Sequence, residues 1–512
     1  MLIKTFGSAV YGVDAQTITV EVNVGIGVNF FLVGLPDSAV KESHQRIQAA
    51  LKNNGYRIPG KEITVNMAPA DIRKEGSAYD LTLAIGVLAA TEQLQNVEKV
   101  GNYIIMGELA LDGKLRPIKG ALPIAIQARK EGFKGFILPQ QNVREAAIVS
   151  DIEVYGVENI KQVIDFFNDE NPLERTIVDA RAEFAHKSQK TDVDFADVKG
   201  QENVKRAMEI AAAGGHNIIL VGPPGSGKTM LAKRLCSILP PLTLHEALET
   251  TKIHSVTGIL KSEEGLMTQR PFRGPHHTIS DVALVGGGSF PRPGEISLAH
   301  NGILFLDELP EFKRTVLEVL RQPLEDRVVT ISRAKISVDY PASFMLVAAM
   351  NPSPSGDFYA AGNSGDSEFA VKRYLAKISG PLMDRIDLHI EVNPVPYEKL
   401  AEKRSGETSE AIRKRVIEAR NIQLNRYKEI PGMYCNALLS PKLIEEYCEL
   451  DTPSEALLKT AMERLKLSAR SHARILKVAR TIADLDASEK ITSEHIAEAI
   501  QYRSLDREGW LG

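Results

Sequence analysis

Apolar and polar positions are patterned differently in successive parts of the chain, and the pattern divides it into four segments. Between residues 1 and 167, Ile18 to Val24, Phe30 to Val33, Ile63 to Met67, Tyr103 to Leu109 and Phe136 to Leu138 read as strands. Ser38 to Asn53 reads as a helix with Val40, His44, Ile47 and Leu51 on one face, and Leu81 to Ala90 as an apolar helix. These elements predict a mixed α/β unit. Residues 168–194 are polar and charge-rich, which predicts a linker. From 195 to 393 the strands become continuous apolar runs: Ile218 to Val221, Gly302 to Leu306, Phe344 to Met350 and Ile386 to Val392. Helical spacing such as Leu231, Leu235 and Ile238 lies between them. This alternation predicts a parallel α/β sheet that binds ligands at its strand carboxyl ends. Beyond Pro394 the pattern is helical only, with segments at Glu410–Tyr427, Pro441–Glu449, Ser454–Leu467, Ser471–Leu485 and Ser493–Arg503. Ser454 and Ser493, each followed by a glutamate, are predicted N-caps.

The apolar run ending at Val221 leads straight into Gly222-Pro223-Pro224-Gly225-Ser226-Gly227-Lys228-Thr229, which fits G-x-x-x-x-G-K-[ST]. Glycines there let backbone N–H groups turn inward around phosphate oxygens, and the next helix adds its positive end. Lys228 is predicted to reach the β- and γ-phosphates of ATP, and the Thr229 hydroxyl to hold Mg²⁺. The run Gly302 to Leu306 ends in Asp307 and Glu308. Asp307 is placed for Mg²⁺, and Glu308 for polarising the attacking water as general base. A third run ends at Asn351, an amide suited to holding water near the γ-phosphate.

Composition frames this chemistry. A chain of 512 residues is too long for one core. Its 62 basic and 66 acidic side chains give a net charge of −4, so nucleic-acid binding would need local patches. Cys236, Cys435 and Cys448 have neither metal nor disulfide spacing and suggest a reducing compartment. The first residues lack a signal-peptide core, and no run approaches ~20 apolar residues, so a cytoplasmic protein without membrane contact is expected.

Arg273-Gly274-Pro275-His276-His277, then Gly294-Glu295-Ile296-Ser297-Leu298-Ala299-His300-Asn301-Gly302, together with Gly34-Leu35-Pro36-Asp37 and Gly107 to Gly113, closely resemble the magnesium-chelatase-like AAA+ proteins of the YifB/ComM type. The resemblance covers nearly the whole chain. It implies an AAA+ P-loop α/β core (195–393), an all-helical C-terminal lid (394–512) and, at 1–167, a Lon-protease-like domain of ribosomal S5-like α/β fold. It further implies a homohexameric ring with ATP at subunit interfaces. Asn351 is then the first sensor, Arg385 an arginine finger acting on the neighbouring subunit, and Arg474 the second sensor on the lid. The stretch Phe195 to Gln201 resembles the segment that lies over the adenine.

Relatives often carry cysteines where this chain has Ser353 and Ser355, so no zinc is expected. In the Lon-like domain the positions of the proteolytic Ser–Lys dyad fall on Ala78 and Leu122, with Ser77 and Lys119 nearby. Without a nucleophile and adjacent base, covalent catalysis has no route, so a binding or ring-assembly module is expected.

Members of this family resemble DNA motors, the competence-linked ones being associated with branch migration. This implies a branch-migration helicase or translocase on single-stranded or branched DNA, in recombination or natural transformation, with recombination proteins as partners. Arg270 and Arg273 in the basic insert, and Arg333 and Lys335 at the tip of a predicted β-hairpin, are the expected phosphate contacts, repeated around a ring. Two other readings stand beside it. One is a protein-remodelling ATPase that uses the amino-terminal domain as adaptor. The other is a chelatase-type metal-insertion motor, against which the Lon-like domain argues.

Overall fold

The computed structural model describes residues 2–179, 181, 184, 193–288, 291–333, 336–356, 367–401 and 406–503. The chain divides into two compact units, one formed by 1–188 with 243–268, the other by 189–242 with 269–512.

The first unit is built on a seven-stranded sheet, ordered Phe30–Val33, Glu62–Ala68, Asp14–Gly25, Leu2–Tyr11, Tyr103–Ile105, Gly135–Pro139 and Glu153–Val157. Leu2–Tyr11 and Asp14–Gly25 pair antiparallel, while the last four strands of the order pair in parallel. Leu2–Tyr11 was not expected as a strand; Gly7 and Ser8 interrupt its alternation, yet Ile3 and Thr5 are buried. The expected strand Tyr103–Leu109 breaks at Gly107, and Glu108–Leu109 pairs instead with Leu115–Arg116. The expected helix Ser38–Asn53 is two, Ser38–Lys41 capped by Asp37 and Ser43–Asn53. Every residue of Asp80–Ala90 is buried, which explains a helix apolar on all sides.

The main departure in organisation is the segment 243–268, which groups with the first unit although it lies within the expected ATPase core. Its helix Leu244–Thr257 begins with a capping box, Thr243 accepting from Glu246 N and Glu246 accepting from Thr243 N. Buried Glu145 joins that helix to the unit by accepting from Ser255 Oγ and from Leu122 N (3.0 Å). Ser77 Oγ donates to Glu108, and the Lys119 side chain lies against Gly258.

The second unit contains a parallel five-stranded sheet: β1 (Ile218–Val221), β2 (Phe272–Arg273), β3 (Ile303–Leu306), β4 (Met345–Met350) and β5 (Leu388–Glu391), ordered β2-β3-β4-β1-β5. β1, β3 and β4 are buried throughout, as a parallel sheet covered on both faces requires. After Tyr397 every described element is helical, namely Tyr397–Ala401, Ser409–Arg426, the short turn Asn436–Leu438, Pro441–Tyr447, Thr452–Leu465, Ala469–Leu485 and Ser493–Gln501. One apolar core runs from β1 and β4 into Ile412, Val416, Ile475 and Ile482 of these helices. The caps sit slightly upstream of expectation. Asp451 accepts from Ser454 N at 2.9 Å, and Thr492 rather than Ser493 holds the cap position.

Candidate functional site: a phosphate loop facing two carboxylates

The loop after β1 folds as its glycines dictate. Gly225 and Gly227 take φ of +78° and +90°, where an L side chain is strained. A Cβ on Gly222 would lie 2.2 Å from the Val392 carbonyl oxygen. Gly227 caps the helix Lys228–Ile238, so its N-terminal amides face the loop. The Lys228 ammonium donates to Gly222 O (2.6 Å), Pro223 O (2.9 Å) and Asn351 Oδ1 (3.1 Å). Burial pushes its pKa down, and Asp307 and Glu308 pull it back up. Gln201, from the stretch expected over the adenine, clips the loop by donating to Ser226 O (3.0 Å) and Asn393 O (3.1 Å).

β4 pairs in parallel with β1 on one side and with β3 on the other, so the carboxyl ends of all three reach the same place. Thr229 Oγ1 donates to Asp307 Oδ2 at 2.6 Å, joining the two predicted magnesium ligands. Glu308 adopts φ +53°, a left-handed conformation costing about 1–3 kcal/mol for a non-glycine residue, and its N–H donates to Asp307 Oδ1. A cleft of about 550 Å³ opens beside it, lined by Glu308, Asn351, Phe369, Arg373, Tyr374 and Lys377. His277, at the end of the insert following β2, places Nδ1 3.1 Å from Glu308 Oε2. His277, Arg373 and Lys377 were missed as site residues. In the sequence the doubled histidine stands only within the Arg273–His277 motif that carries the family resemblance.

These groups fit ATP and Mg²⁺. The donor set is one buried ammonium, inward amides, a hydroxyl–carboxylate pair and the buried Ser226 hydroxyl, which has no hydrogen-bond partner among the described residues. Comparison with known proteins agrees. The family described as "Magnesium chelatase, subunit ChlI" matches residues 194–400, "Subunit ChlI of Mg-chelatase" matches 20–142, and "Magnesium chelatase, subunit ChlI C-terminal" matches 406–503. The competence protein ComM of Haemophilus influenzae is 45% identical over 510 residues, covering 99% of this chain and 98% of its own length. The chain belongs to the YifB/ComM-type magnesium-chelatase-like family. YifB of Escherichia coli is also 45% identical, over 505 residues, 98% of this chain and 96% of its own. Lon protease 2 of Bacillus subtilis is 27% identical over 190 residues, 31% of this chain and 33% of its own. As a YifB/ComM-type protein, the chain is an AAA+ ATPase. A chelatase-subunit family matches 20–142, so the amino-terminal segment does not weigh against the chelatase reading.

The remaining residues expected to act in this YifB/ComM-type protein lie elsewhere. Arg385 and Arg474 are not at the chain's own phosphate loop. Asp384 to Asp387 precede β5, and β5 runs parallel to β1 with Glu391 level with Val221. Both arginines therefore belong to the amino end of the sheet, opposite the nucleotide end. Arg385 is 5% exposed, donates to Pro381 O and pairs with Glu325. Arg474 pairs with Asp387 at 3.0 Å.

The expected DNA contacts fare unevenly. Arg270 donates to the Pro240, Pro241 and Asn301 carbonyls, and Arg273 forms a two-point pair with Glu295 at 2.6 and 2.7 Å. Both guanidiniums thus have partners within this unit. The hairpin expected around Arg333 exists as Val328–Arg333 paired with Ile336–Pro341. Lys335, at its tip, lies outside the described residues. Ser353 and Ser355, at the positions that argued against zinc, hydrogen-bond each other at 3.0 Å. Among the described residues, no helix is long and apolar enough to cross a membrane.

Proposed function

We propose that this chain is a homohexameric motor that hydrolyses ATP to move along or through DNA, acting as a branch-migration helicase or translocase. The observation that carries the ATP step is the Thr229–Asp307–Glu308 cluster facing Lys228 and Asn351 across one sheet end. In that step Glu308 accepts the proton of the attacking water. Lys228 exchanges its carbonyl partners for phosphate oxygens, Asn351 orients the water, and Thr229 with Asp307 holds the metal. Mg²⁺, when bound, supplies positive charge against the phosphate oxygens.

The ring and the trans role of Arg385 are supported by its location at the sheet end away from its own loop, so that a neighbour's nucleotide is its natural target. Its partner Glu325 has a side chain 56% exposed, so on release the carboxylate is solvated, while the 6% exposed Arg385 side chain must swing outward to meet a neighbour's phosphate. The DNA substrate is supported by near-full-length similarity to a competence protein and by the Val328–Pro341 hairpin with Arg333 at the end of its first strand.

Protein remodelling is the second reading. It is favoured by apolar side chains exposed at and beside the edge strand Phe30–Val33, namely Ile26, Val28, Phe31, Val33 and Leu35.

Phosphate release by the purified protein, measured alone, with single-stranded DNA and with a branched junction, tests the proposal, with Glu308→Gln as the inactive control. DNA-stimulated hydrolysis with ATP-dependent junction dissociation is expected. Hydrolysis indifferent to every DNA rejects the DNA motor and transfers the proposal to a protein substrate. Lys228→Ala is expected to abolish nucleotide binding.

A further inference from the structure

We infer that Arg474 is a positioning residue that sets Arg385 through Asp387, making the lid helix Ala469–Leu485 a grip on the arginine offered to the neighbouring subunit. This rests on the reading of Arg385 as a trans-acting arginine.

The turn Asp384 to Asp387 carries Arg385, and it is held from two sides. From the sheet, Asn217 Nδ2 donates to Arg385 O at 2.9 Å and Asn217 N to Asp387 Oδ2 at 3.1 Å. From the lid, Arg474 NH1 lies 3.0 Å from Asp387 Oδ1, and Arg503 donates to Ile386 O. His216 bridges the two sides, with Nδ1 3.3 Å from Asp387 Oδ2 and Nε2 2.7 Å from Thr481 Oγ1 on the lid helix. Arg470, one helical turn before Arg474, reaches Asp384 at 3.0 Å.

The two acids flanking Arg385 are thus each held by an arginine of one helix face, spaced i,i+4. The grips differ in weight. Arg470 is 63% exposed, and its pair is screened by solvent. Asp387 and His216 are buried, and Arg474 is mostly so. Burial alone would raise the Asp387 pKa, but Arg474 and His216 hold it below the ordinary carboxylate value, so the acid stays charged and needs its partner. A shift of the lid helix against the sheet therefore moves Asp387 and the arginine two residues before it.

Arg474 is also remote from its own loop. β5 rises about 3.3 Å per residue, which puts Asp387 about 13 Å from the level of Glu391 and Val221.

Steady-state hydrolysis and fluorescent-ATP binding by the full chain test the inference in Arg385→Ala, Arg474→Ala, Arg474→Lys, Asp387→Asn and the Arg474→Ala/Asp387→Asn double variant. Misplacing a reacting group by about 1 Å costs on the order of 10²-fold. Arg474→Ala and Asp387→Asn are therefore each expected to lower kcat by about 10- to 100-fold. KM for ATP and nucleotide affinity should be unchanged, and the double variant should be no worse than either single. Arg474→Lys should recover part of the loss.

The double variant removes both buried charges together and so keeps a folded subject where a single variant leaves one unpaired. Wild-type kcat in the double variant overturns the inference. So does loss of nucleotide affinity in Arg474→Ala with Asp387→Asn intact, which would mean Arg474 touches nucleotide directly. Wild-type hydrolysis in Arg385→Ala instead rejects the trans-arginine reading itself. Inactive Arg385→Ala beside active Asp387→Asn rejects only the grip.

Discussion

Replacing His277 by alanine separates two roles that a histidine on the proposed general base can play. Its Nδ1 lies 3.1 Å from Glu308 Oε2, so it either restrains the general base or shares in the chemistry. The Glu308 side chain is 59% exposed and that of His277 30%. A pair that open is screened and contributes about 0.2–1 kcal/mol. If hydrolysis requires Glu308 to release His277 and take up water, His277→Ala raises basal kcat by no more than about fivefold. Glu308→Gln removes the proton acceptor itself and should lower kcat by about 10²- to 10⁴-fold. Phosphate release across an ATP titration, with Glu308→Gln setting the floor, reads both, and KM should not move in His277→Ala. A fall of a hundredfold or more in His277→Ala, with the protein folded and binding ATP, refutes the restraint and makes the imidazole part of the reaction.

Three further perturbations follow from single contacts. Gly222→Ala sets a Cβ 2.2 Å from Val392 O, where only backbone movement gives relief; an overpacking cost of about 1–3 kcal/mol and lost ATP affinity are expected, and wild-type affinity by calorimetry would contradict this. Asn217→Ala strips a buried side chain that accepts from Leu346 N (2.8 Å) and donates to Arg385 O. Leaving both backbone groups unpaired should cost about 2–6 kcal/mol, and a urea midpoint shifted by less than the equivalent of ~1 kcal/mol would show the groups find other partners. Glu145→Gln probes the buried acid that holds the helix Leu244–Thr257. Burial pushes the Glu145 pKa above its ordinary 4.5, so the folded state keeps this proton more tightly than the unfolded chain, and stability falls as pH rises from about 4.5 through the raised value. The glutamine variant should flatten the melting temperature over that range, and an unchanged slope would place the pH dependence elsewhere.

The strand–loop–helix around Lys228, the acidic end of the Ile303–Leu306 strand and Asn351 were legible in the sequence, because each is a local run whose residues must be neighbours to work. The four apolar runs predicted a parallel sheet for the same reason: burial on both faces leaves a continuous hydrophobic signature. Partnerships between segments distant in the chain were not legible. Arg270 and Arg273 looked like surface cations, and only the approach of three backbone carbonyls and Glu295 gave them structural roles. His277 became a contact of Glu308 only when β2 and β3 lay side by side.

The family and the expected nucleotide chemistry were readable before any folding, since both reside in contiguous motifs. Folding was needed to show where the chain crosses between its two units, returning 243–268 to the first, and at which sheet end Arg385 and Arg474 lie. Strand direction and the pairing of Arg474 with Asp387 are properties of packing, and no local window of sequence contains both partners.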